Sequence, residues 1–513
     1  MDDEHGKGPQ GERANGDGER AAPGTGKGPR DRRPDRARPR RDRPRWPTKK
    51  RAEVERDAGR SAGKSVRQPE GKRAAARRPP VSRRLRSAVA GPPPGPSRAG
   101  FWRSPLRGPW LTSVFGVILL VGLPVVAVTG LLSYAAYNPD LSPLNDKTPD
   151  KGVLGFYLFP WPTSPYWLYR VTQGVHVVLG LVLIPVVLAK LWSVIPKLFQ
   201  WPPARSVAHL LDRLSLFLLV GSVLFEIATG VLNIQLDYIF PGSFYTLHFY
   251  GAWVFIAAFV VHVALRFPRM RRALRSRRLR DELRTPTAAT RPEPPDTTGL
   301  VSPRPAAPTL SRRGALGMVG LGSLALLVTS VGQSIGGPLR RTAFLAPHGQ
   351  DPGPGPNGFQ INKTAAARGI RARDTGPDWR LTVRAAGQQV VLTRDQLLAL
   401  PQHTAALPIA CVEGWSTSDQ HWSGVRLADL ADLVGAGDHP PSVLVESLQR
   451  RGAFRAVVLR DNQVRDSRSL LALRVNGADL SPDHGYPARI IVPNIPGVYN
   501  TKWVSHLTFG ERT

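Results

Sequence analysis

One cysteine stands in this 513-residue chain, at Cys411 in the run Pro408-Ile409-Ala410-Cys411-Val412-Glu413-Gly414-Trp415-Ser416. An apolar, β-like run delivers its thiol to a turn at Gly414. A thiolate placed there is a soft ligand, suited to a soft or high-valent metal centre. A lone cysteine is otherwise an inert buried small residue, so a second motif has to support the first. That motif runs Asp483-His484-Gly485-Tyr486-Pro487-Ala488-Arg489-Ile490-Ile491-Val492-Pro493, through Gly497, to Asn500-Thr501-Lys502-Trp503. Arg489 and Lys502 flank backbone-rich turns, a combination fit for an anionic phosphate. With a single cysteine, an intramolecular disulfide framework and an all-protein Cys-rich zinc or iron–sulfur site are both excluded.

A second set of candidates lies in apolar surroundings. His176, His248 and His262 fall within long apolar stretches, and His209 sits at the entrance of another. Ionisable groups at membrane depth are costly, which makes function the default expectation. His176 lies about a turn into its stretch and His248 near the start of its own, so the two can meet at one level and hold one iron from opposite faces. His248 and His262 are 14 positions apart. A helix carries that spacing over roughly 21 Å on nearly the same face, which offers one axial ligand to each of two stacked haems. His209 is the only histidine close to the depth of His262; its alternative role is that of an interfacial residue beside a basic flank. A quinone or proton ligand is the alternative for His262. Glu226 is read as a proton or quinone group, or as a hydrogen-bond partner inside the bundle. Arg170 and Arg266 either pair with haem propionates or mark membrane ends.

These residues require particular elements. Five apolar stretches reach the roughly 20 helical residues that cross a bilayer: about Leu111–Tyr134, Val171–Val194, Leu210–Leu232, Leu247–Arg266 and Ala315–Ile335. The formal net charge of +32 is unevenly placed. Much of it precedes residue 108, in an Arg/Pro/Gly-rich segment with almost no aliphatic residues. That segment, 1–105, is expected to be a disordered cytoplasmic tail near acidic lipid. Without aromatic interleaving or a fold motif it is not expected to bind nucleic acid. No apolar run opens the chain, so a cleavable signal peptide is not expected. Basic residues also fill the connection with Lys197, Arg205 and Arg213, and the block from Arg266 to Arg284, whereas loops 135–170 and 233–246 carry little net charge. The Lys/Arg bias puts the N-terminus in the cytoplasm. Five crossings of the cell membrane then leave the chain from about residue 337 outside. Ser311-Arg312-Arg313 before the fifth stretch reads either as an internal, uncleaved twin-arginine signal or as an ordinary positive flank.

Beyond Arg340 the composition is that of a soluble domain. Short β-like runs at Arg380–Arg384, Val390–Thr393, Ser442–Ser447, Ala456–Leu459 and Ala488–Val492 alternate with helical patterns at Arg394–Leu400 and Leu427–Val434. The expected fold is therefore multidomain: a tail (1–105), an all-α transmembrane four-helix haem bundle (106–270), a basic, Pro-rich cytoplasmic linker (271–310), a fifth transmembrane anchor (311–337) and a β-rich α+β domain (338–513).

Two family resemblances follow from these residues. The paired-histidine helix resembles the fourth helix of the di-haem cytochrome b subunits of formate dehydrogenases and hydrogenases, and of the related bacterial cytochrome b561 group, over about residues 105–270. It implies b-type haem held by two imidazoles and electron exchange between quinone and a partner domain: His176 and His248 for an outer haem, His262 with His209 for an inner one. That family usually takes the inner haem's second ligand from its first helix, and the first stretch here has no His or Met. The second motif resembles the molybdopterin-binding signature of the sulfite oxidase superfamily, over about residues 357–513, and the Cys-Val-Glu-Gly-Trp segment looks like that of its periplasmic methionine-sulfoxide-reductase branch. The resemblance implies Cys411 as molybdenum ligand and His484 and Arg489 on the pterin and its phosphate. Asn500, Thr501 and Lys502 would complete that grip, and Phe359 to Lys363, with Asn362, would form an N-terminal pterin contact. Glu413 and Trp415 would shape access or simply pack. The arginines that sulfite oxidases place just after the ligating cysteine are absent, and no C-terminal dimerisation domain is recognisable. Reduction of an S-oxide or N-oxide, small molecule or protein, is therefore expected. A sulfite-type dehydrogenase feeding quinone, and a non-catalytic haem and pterin-binding membrane protein, are the alternatives.

Overall fold

Pro109 opens the first long helix at a position where its missing N–H costs nothing. The next free amide, that of Trp110, donates to the buried carboxylate of Glu293 at 3.1 Å, which satisfies an orphan donor and suits the positive helix end. The structure, a computed structural model, describes residues 91–138, 159–203, 206–234, 244–295, 298–346, 357–437, 439–452 and 454–510. Most of the expected disordered tail lies outside the described residues.

The long helices are α1 (Pro109–Ala136), α2 (Leu168–Leu198), α3 (Val207–Asn233) and α4 (Phe244–Arg275). After the short α5 (Leu279–Arg284) come α6 (Arg312–Val328) and α7 (Gly332–Ile335). Five helical segments are long and apolar enough to cross a membrane, the fifth being Arg312–Ile335. Only 11–28% of the most apolar window of each is buried inside the protein. Their outward faces are thus apolar, as a lipid environment requires. α1 packs on α2 and α4, α3 on α4, and α6 on α2.

The segment between α4 and α6 is folded onto the helix ends. Glu282 pairs with Arg277 at 2.6 Å and with Arg312 at 3.2 Å, and Arg312 also donates to the Arg291 carbonyl at 2.9 Å. Arg312, the first of the two consecutive arginines, is 1% exposed. In the folded chain it therefore acts as an ion-paired anchor.

The C-terminal domain carries two sheets. One has the order β2 (Gln388–Thr393), β1 (Arg380–Ala385), β10 (Val504–Phe509), β5 (Val443–Ser447), β6 (Ala456–Leu459), with β1 and β10 parallel. The other runs β3 (His403–Leu407), β4 (Gln420–Arg426), β7 (Leu470–Val475), β8 (Ala478–Asp479), with β9 (Arg489–Ile491) also on β7. Helices α8 (Arg394–Ala399), α9 (Leu427–Asp432) and α10 (Asp461–Arg465) fill the connections. Thr393 caps α8 in a reciprocal box with Gln396. The larger core unites Leu381, Val383, Val445, Val457 and Leu507; a second, around Phe359, Trp415, Trp422 and Ile491, underlies Cys411.

Asn494 joins the domain to the helices. Its backbone is left-handed, at φ 60°, which asparagine tolerates better than most residues. Its Oδ1 accepts from the Tyr169 amide at 2.6 Å, its Nδ2 donates to the Pro162 carbonyl at 2.6 Å, and its carbonyl accepts from the Trp161 indole at 2.6 Å. Replacing it by alanine strands a buried amide and a carbonyl. Asn494→Ala is expected to cost about 2–4 kcal/mol, read as a lower unfolding temperature of the detergent-purified chain. An unchanged midpoint would show that the clasp contributes nothing.

Candidate functional site

The Cys411 turn is built from backbone. Ala410 bridges to Ser416 and to Pro496, the Cys411 amide donates to the Trp415 carbonyl at 2.8 Å, and the Gly414 amide donates back to the Cys411 carbonyl at 3.1 Å. Gly414 has φ 90°, and a Cβ there would stand 2.8 Å from Val177 on α2. Glycine therefore serves both the turn and the close approach to the helix. Trp415 is held by its indole N–H on Glu413 at 2.7 Å, so these two residues pack as a pair. Burial, with the Glu413 carboxylate adding to it, pushes the Cys411 thiol well above its ordinary range. Loss of its proton must then accompany arrival of a metal cation.

One cavity gathers the residues singled out from both motifs: Asn362, Cys411, His484, Arg489, Asn500, Thr501 and Lys502 all line it, together with Gln360 and Trp415. Arg489 donates to the carbonyls of His484 at 2.9 Å and Asn500 at 3.1 Å, and lies 5.1 Å from the Trp422 ring centre. Burial pushes its guanidinium down to about 9. Its Nε and the Gln360 Nε2 are buried without a hydrogen-bond partner. No carboxylate pairs with Arg489 among the described residues. A buried, unneutralised cation is costly, and an anionic phosphate in this cavity supplies the missing charge and acceptors. The residues present thus fit a pterin cofactor bearing a phosphate.

Lys502 donates to the Lys363 and Asp483 carbonyls at 2.6 and 2.9 Å and approaches the Asn362 amide oxygen at 3.4 Å. It therefore ties the 362–363 segment to the His484 turn, while burial and Arg489 push it down to about 7. His484 lines the same cavity and is held by two neighbours. Its Nε2 donates to the Phe359 carbonyl at 3.1 Å, which leaves Nδ1 to accept from the Ser481 hydroxyl at 2.8 Å. Burial, then Arg489, push it down to about 4, so the ring is neutral. It shows the cavity a ring with both nitrogens engaged, and positions the Phe359 segment. The Asn500 side-chain oxygen likewise accepts from the Val492 amide at 3.0 Å.

A second cavity opens within the helices, at the end next to the domain, lined by His176, His248, Glu226, Gln173, Gly130 and Gly230 among others. His176 Nδ1 donates to the Val126 carbonyl at 2.9 Å. Nδ1 of His248 lies 3.1 Å from both Thr229 Oγ1 and Glu226 Oε2, and the Thr229 hydroxyl donates to the Phe225 carbonyl at 2.7 Å. Both imidazoles thus carry their proton on Nδ1 and leave Nε2 as a bare lone pair, the arrangement that orients a metal-ligating histidine. Their ring centres are 6.0 Å apart, at 81°. Metal–imidazole bonds of about 2 Å on either side of one ion put ring centres roughly 6 Å apart. A Cβ at Gly130 would stand 2.9 Å from His176, and one at Gly230 3.1 Å from His248. The two glycines clear the space the rings occupy.

Adjacent residues separate the two cavities. Cys411 lines the first and Val412 the second. The Val412 carbonyl accepts from Gln173 Nε2, one turn of α2 before His176. Ser334 donates to the Gly414 carbonyl at 2.6 Å and accepts from the Ser416 hydroxyl at 2.9 Å. Sequence reading did not single out Gln173, Val412 or Ser334; a buried amide inside an apolar stretch was the available signal for Gln173.

A third cavity lies at the other end of the helices, lined by His262, Lys190, Arg266 and Met270. His209, expected opposite His262, does not line it. The α3 wall of this cavity begins at Leu216, and His209 stands two turns earlier, roughly 10 Å along the axis. Of the two arginines, Arg266 lines this cavity and is ion-paired with Asp212, and Arg170 donates to the Ser334 carbonyl at 3.3 Å.

Residues 369–513 match the family described as oxidoreductase molybdopterin binding domain. The chain is 30% identical over 132 residues to the uncharacterized oxidoreductase YuiH of Bacillus subtilis (strain 168), covering 26% of this chain and 65% of that protein. It is 28% identical over 158 residues to the mitochondrial sulfite oxidase of Drosophila melanogaster, covering 26% of this chain and 28% of that protein. The crystal structure of the sulfane dehydrogenase SoxCD from Paracoccus pantotrophus aligns at 23% identity and a TM-score of 0.24, over 26% of this chain and 39% of that one. The chain therefore spans less than two thirds of the length of each. Its C-terminal part is thus similar to oxidoreductase molybdopterin-binding domains, sulfite oxidases among them.

Proposed function

We propose that the chain is a membrane-bound molybdenum-cofactor oxidoreductase that exchanges electrons between the quinone pool and an oxygen-atom-transfer site at Cys411, through a b-type haem between His176 and His248. The observation that carries this reading is that Cys411 and Val412, consecutive in the chain, line the two cavities. The Lys/Arg bias favours a cytoplasmic N-terminus and a C-terminal domain outside the cell membrane. The haem cavity then lies at the outer end of the bundle, directly beneath the catalytic turn.

When bound, the molybdenum cofactor supplies oxygen-atom transfer and the haem one-electron exchange. The chain's residues hold these groups. The Cys411 sulfur is the metal ligand, Arg489 and Gln360 meet the anionic pterin, and Lys502 fixes the two backbone segments beside it. Gly414 lets the turn approach α2, and Gln173 fixes Val412 against the haem cavity. Glu226 and Thr229 keep the proton of His248 on Nδ1, so that Nε2 faces the cavity.

The substrate class favoured here is an S-oxide or N-oxide, because Val412, Glu413 and Trp415 follow the cysteine where sulfite oxidases place arginines. A second reading, sulfite-type oxidation feeding quinone, is favoured by the sulfite oxidase among the relatives. Haem absorbance of the purified chain separates them. Reoxidation of pre-reduced haem on adding an S-oxide or N-oxide is the expected result. Reduction of ferric haem by sulfite would replace it with the second reading. Full haem and molybdenum with no response to either class would favour a non-catalytic electron-transfer protein.

A further inference from the structure

We infer that the far cavity is a second haem site in which the Lys190 amine takes the place that His176 holds in the near one, with His262 as the opposite ligand. This rests on the haem reading of the near cavity. The argument is a repeat of 14 residues carried by three helices at once. On α4, His248 is followed by His262; on α2, His176 is followed by Lys190. On α1, Gly130 is preceded by Gly116, and Val126 by Thr112. Each pair is offset by roughly 21 Å along its helix with little rotation.

The contacts repeat with the residues. His176 Nδ1 meets the Val126 carbonyl at 2.9 Å, and Lys190 Nζ meets the Thr112 carbonyl at 2.6 Å. A Cβ at Gly130 would lie 2.9 Å from His176, and a Cβ at Gly116 would lie 3.0 Å from Lys190 Nζ. The far cavity is thus framed like the near one, with an amine in place of an imidazole. An iron-bound amine keeps two N–H groups, so the bond to Thr112 survives coordination and orients the nitrogen as the Val126 bond orients His176. Leu119, Leu123, Phe255 and Phe259 give the cavity apolar walls, and Lys197, Arg266 and Arg269 also line it. Among the described lining residues, Lys197, seven residues beyond Lys190 on α2, is a further amine, and Met270 is the other donor to be weighed. It lies eight residues beyond His262 on the same helix, whereas Lys190 occupies the repeated position.

The test uses the full-length chain in detergent, with haem counted against protein and ferric haem examined by electron paramagnetic resonance. Wild type is expected to hold two haems, both low-spin, with His262→Ala reducing the count to one. Lys190→Leu should abolish the far low-spin signal, leaving high-spin iron or one haem fewer, and Lys190→His should restore low spin. One haem per chain in wild type would overturn the inference and leave the cavity to a quinone headgroup. An unchanged Lys190→Leu spectrum, or the same loss produced instead by Met270→Leu, would overturn the lysine assignment. Absence of any haem would fail the underlying reading itself, and so is distinguishable.

Discussion

Cys411→Ser is expected to lower turnover at the molybdenum site by on the order of a thousand-fold, a loss of about 4 kcal/mol of transition-state stabilisation, while leaving the haem spectrum unchanged. The turn that presents the residue is held by main-chain bonds between Cys411, Gly414 and Trp415, and these do not depend on the side chain. Serine is close in size, so the cavity keeps its shape. What changes is the ligand: a polarisable sulfur becomes a harder oxygen whose proton is far more difficult to remove in a buried position. The variant should therefore fold and bind haem, and either lose molybdenum or hold it inactive. Metal analysis beside assays with a soluble reductant reads both. Wild-type turnover in the serine variant would remove Cys411 from the centre and with it the enzyme reading of this cavity.

Several of these features were legible in the residues because a local rule was strong. Five long apolar stretches with few charges fix the long helices, and the pairing of His176 with His248 follows from depth alone. The Cys411 turn needed only a glycine at the position where the structure has φ 90°. Other features depended on tertiary context. β7, with Leu470-Leu471-Ala472-Leu473, is rich in helix formers and lacks alternation, because both faces of this strand are buried. β4 carries Gly424, where a Cβ would come within 2.0 Å of the Leu471 carbonyl; glycine weakens strand propensity but allows that approach. The place of His484 in the cavity was legible from its motif, whereas the hydrogen bonds of its two nitrogens to Ser481 and Phe359 were not. His209 was paired with His262 by depth, yet the wall of the cavity starts two turns further along α3. Lys190 passed unremarked within a stretch read as apolar, although an ionisable side chain at that depth is the same signal that picked out the histidines. The junction of Val412 with Gln173 joins residues more than 200 positions apart, and no local pattern encodes it.

That junction makes coupling between the two centres separable from chemistry at either one, and His248→Ala is the variant that separates them. It removes one of the two facing imidazoles and leaves Cys411, Arg489 and Lys502 untouched. Quinol-driven turnover is expected to fall by on the order of a hundred-fold or more. Turnover driven by a soluble reductant that reaches the molybdenum site directly should stay within about two-fold of wild type, a change well under 1 kcal/mol. The change also leaves Glu226 and Thr229 without the ring they share, and an unpaired buried carboxylate destabilises the bundle. His176→Ala controls for this, because among the described residues its Nδ1 hydrogen-bonds a backbone carbonyl, that of Val126, rather than a carboxylate. Both variants should lose the same haem and show the same split between donors. Equal loss with quinol and soluble reductant in both would mean that the helices hold the domain in its active form rather than feed it electrons. Retention of full quinol activity without this haem would sink the relay, since it is the redox group proposed in the cavity that Val412 lines, next to Cys411.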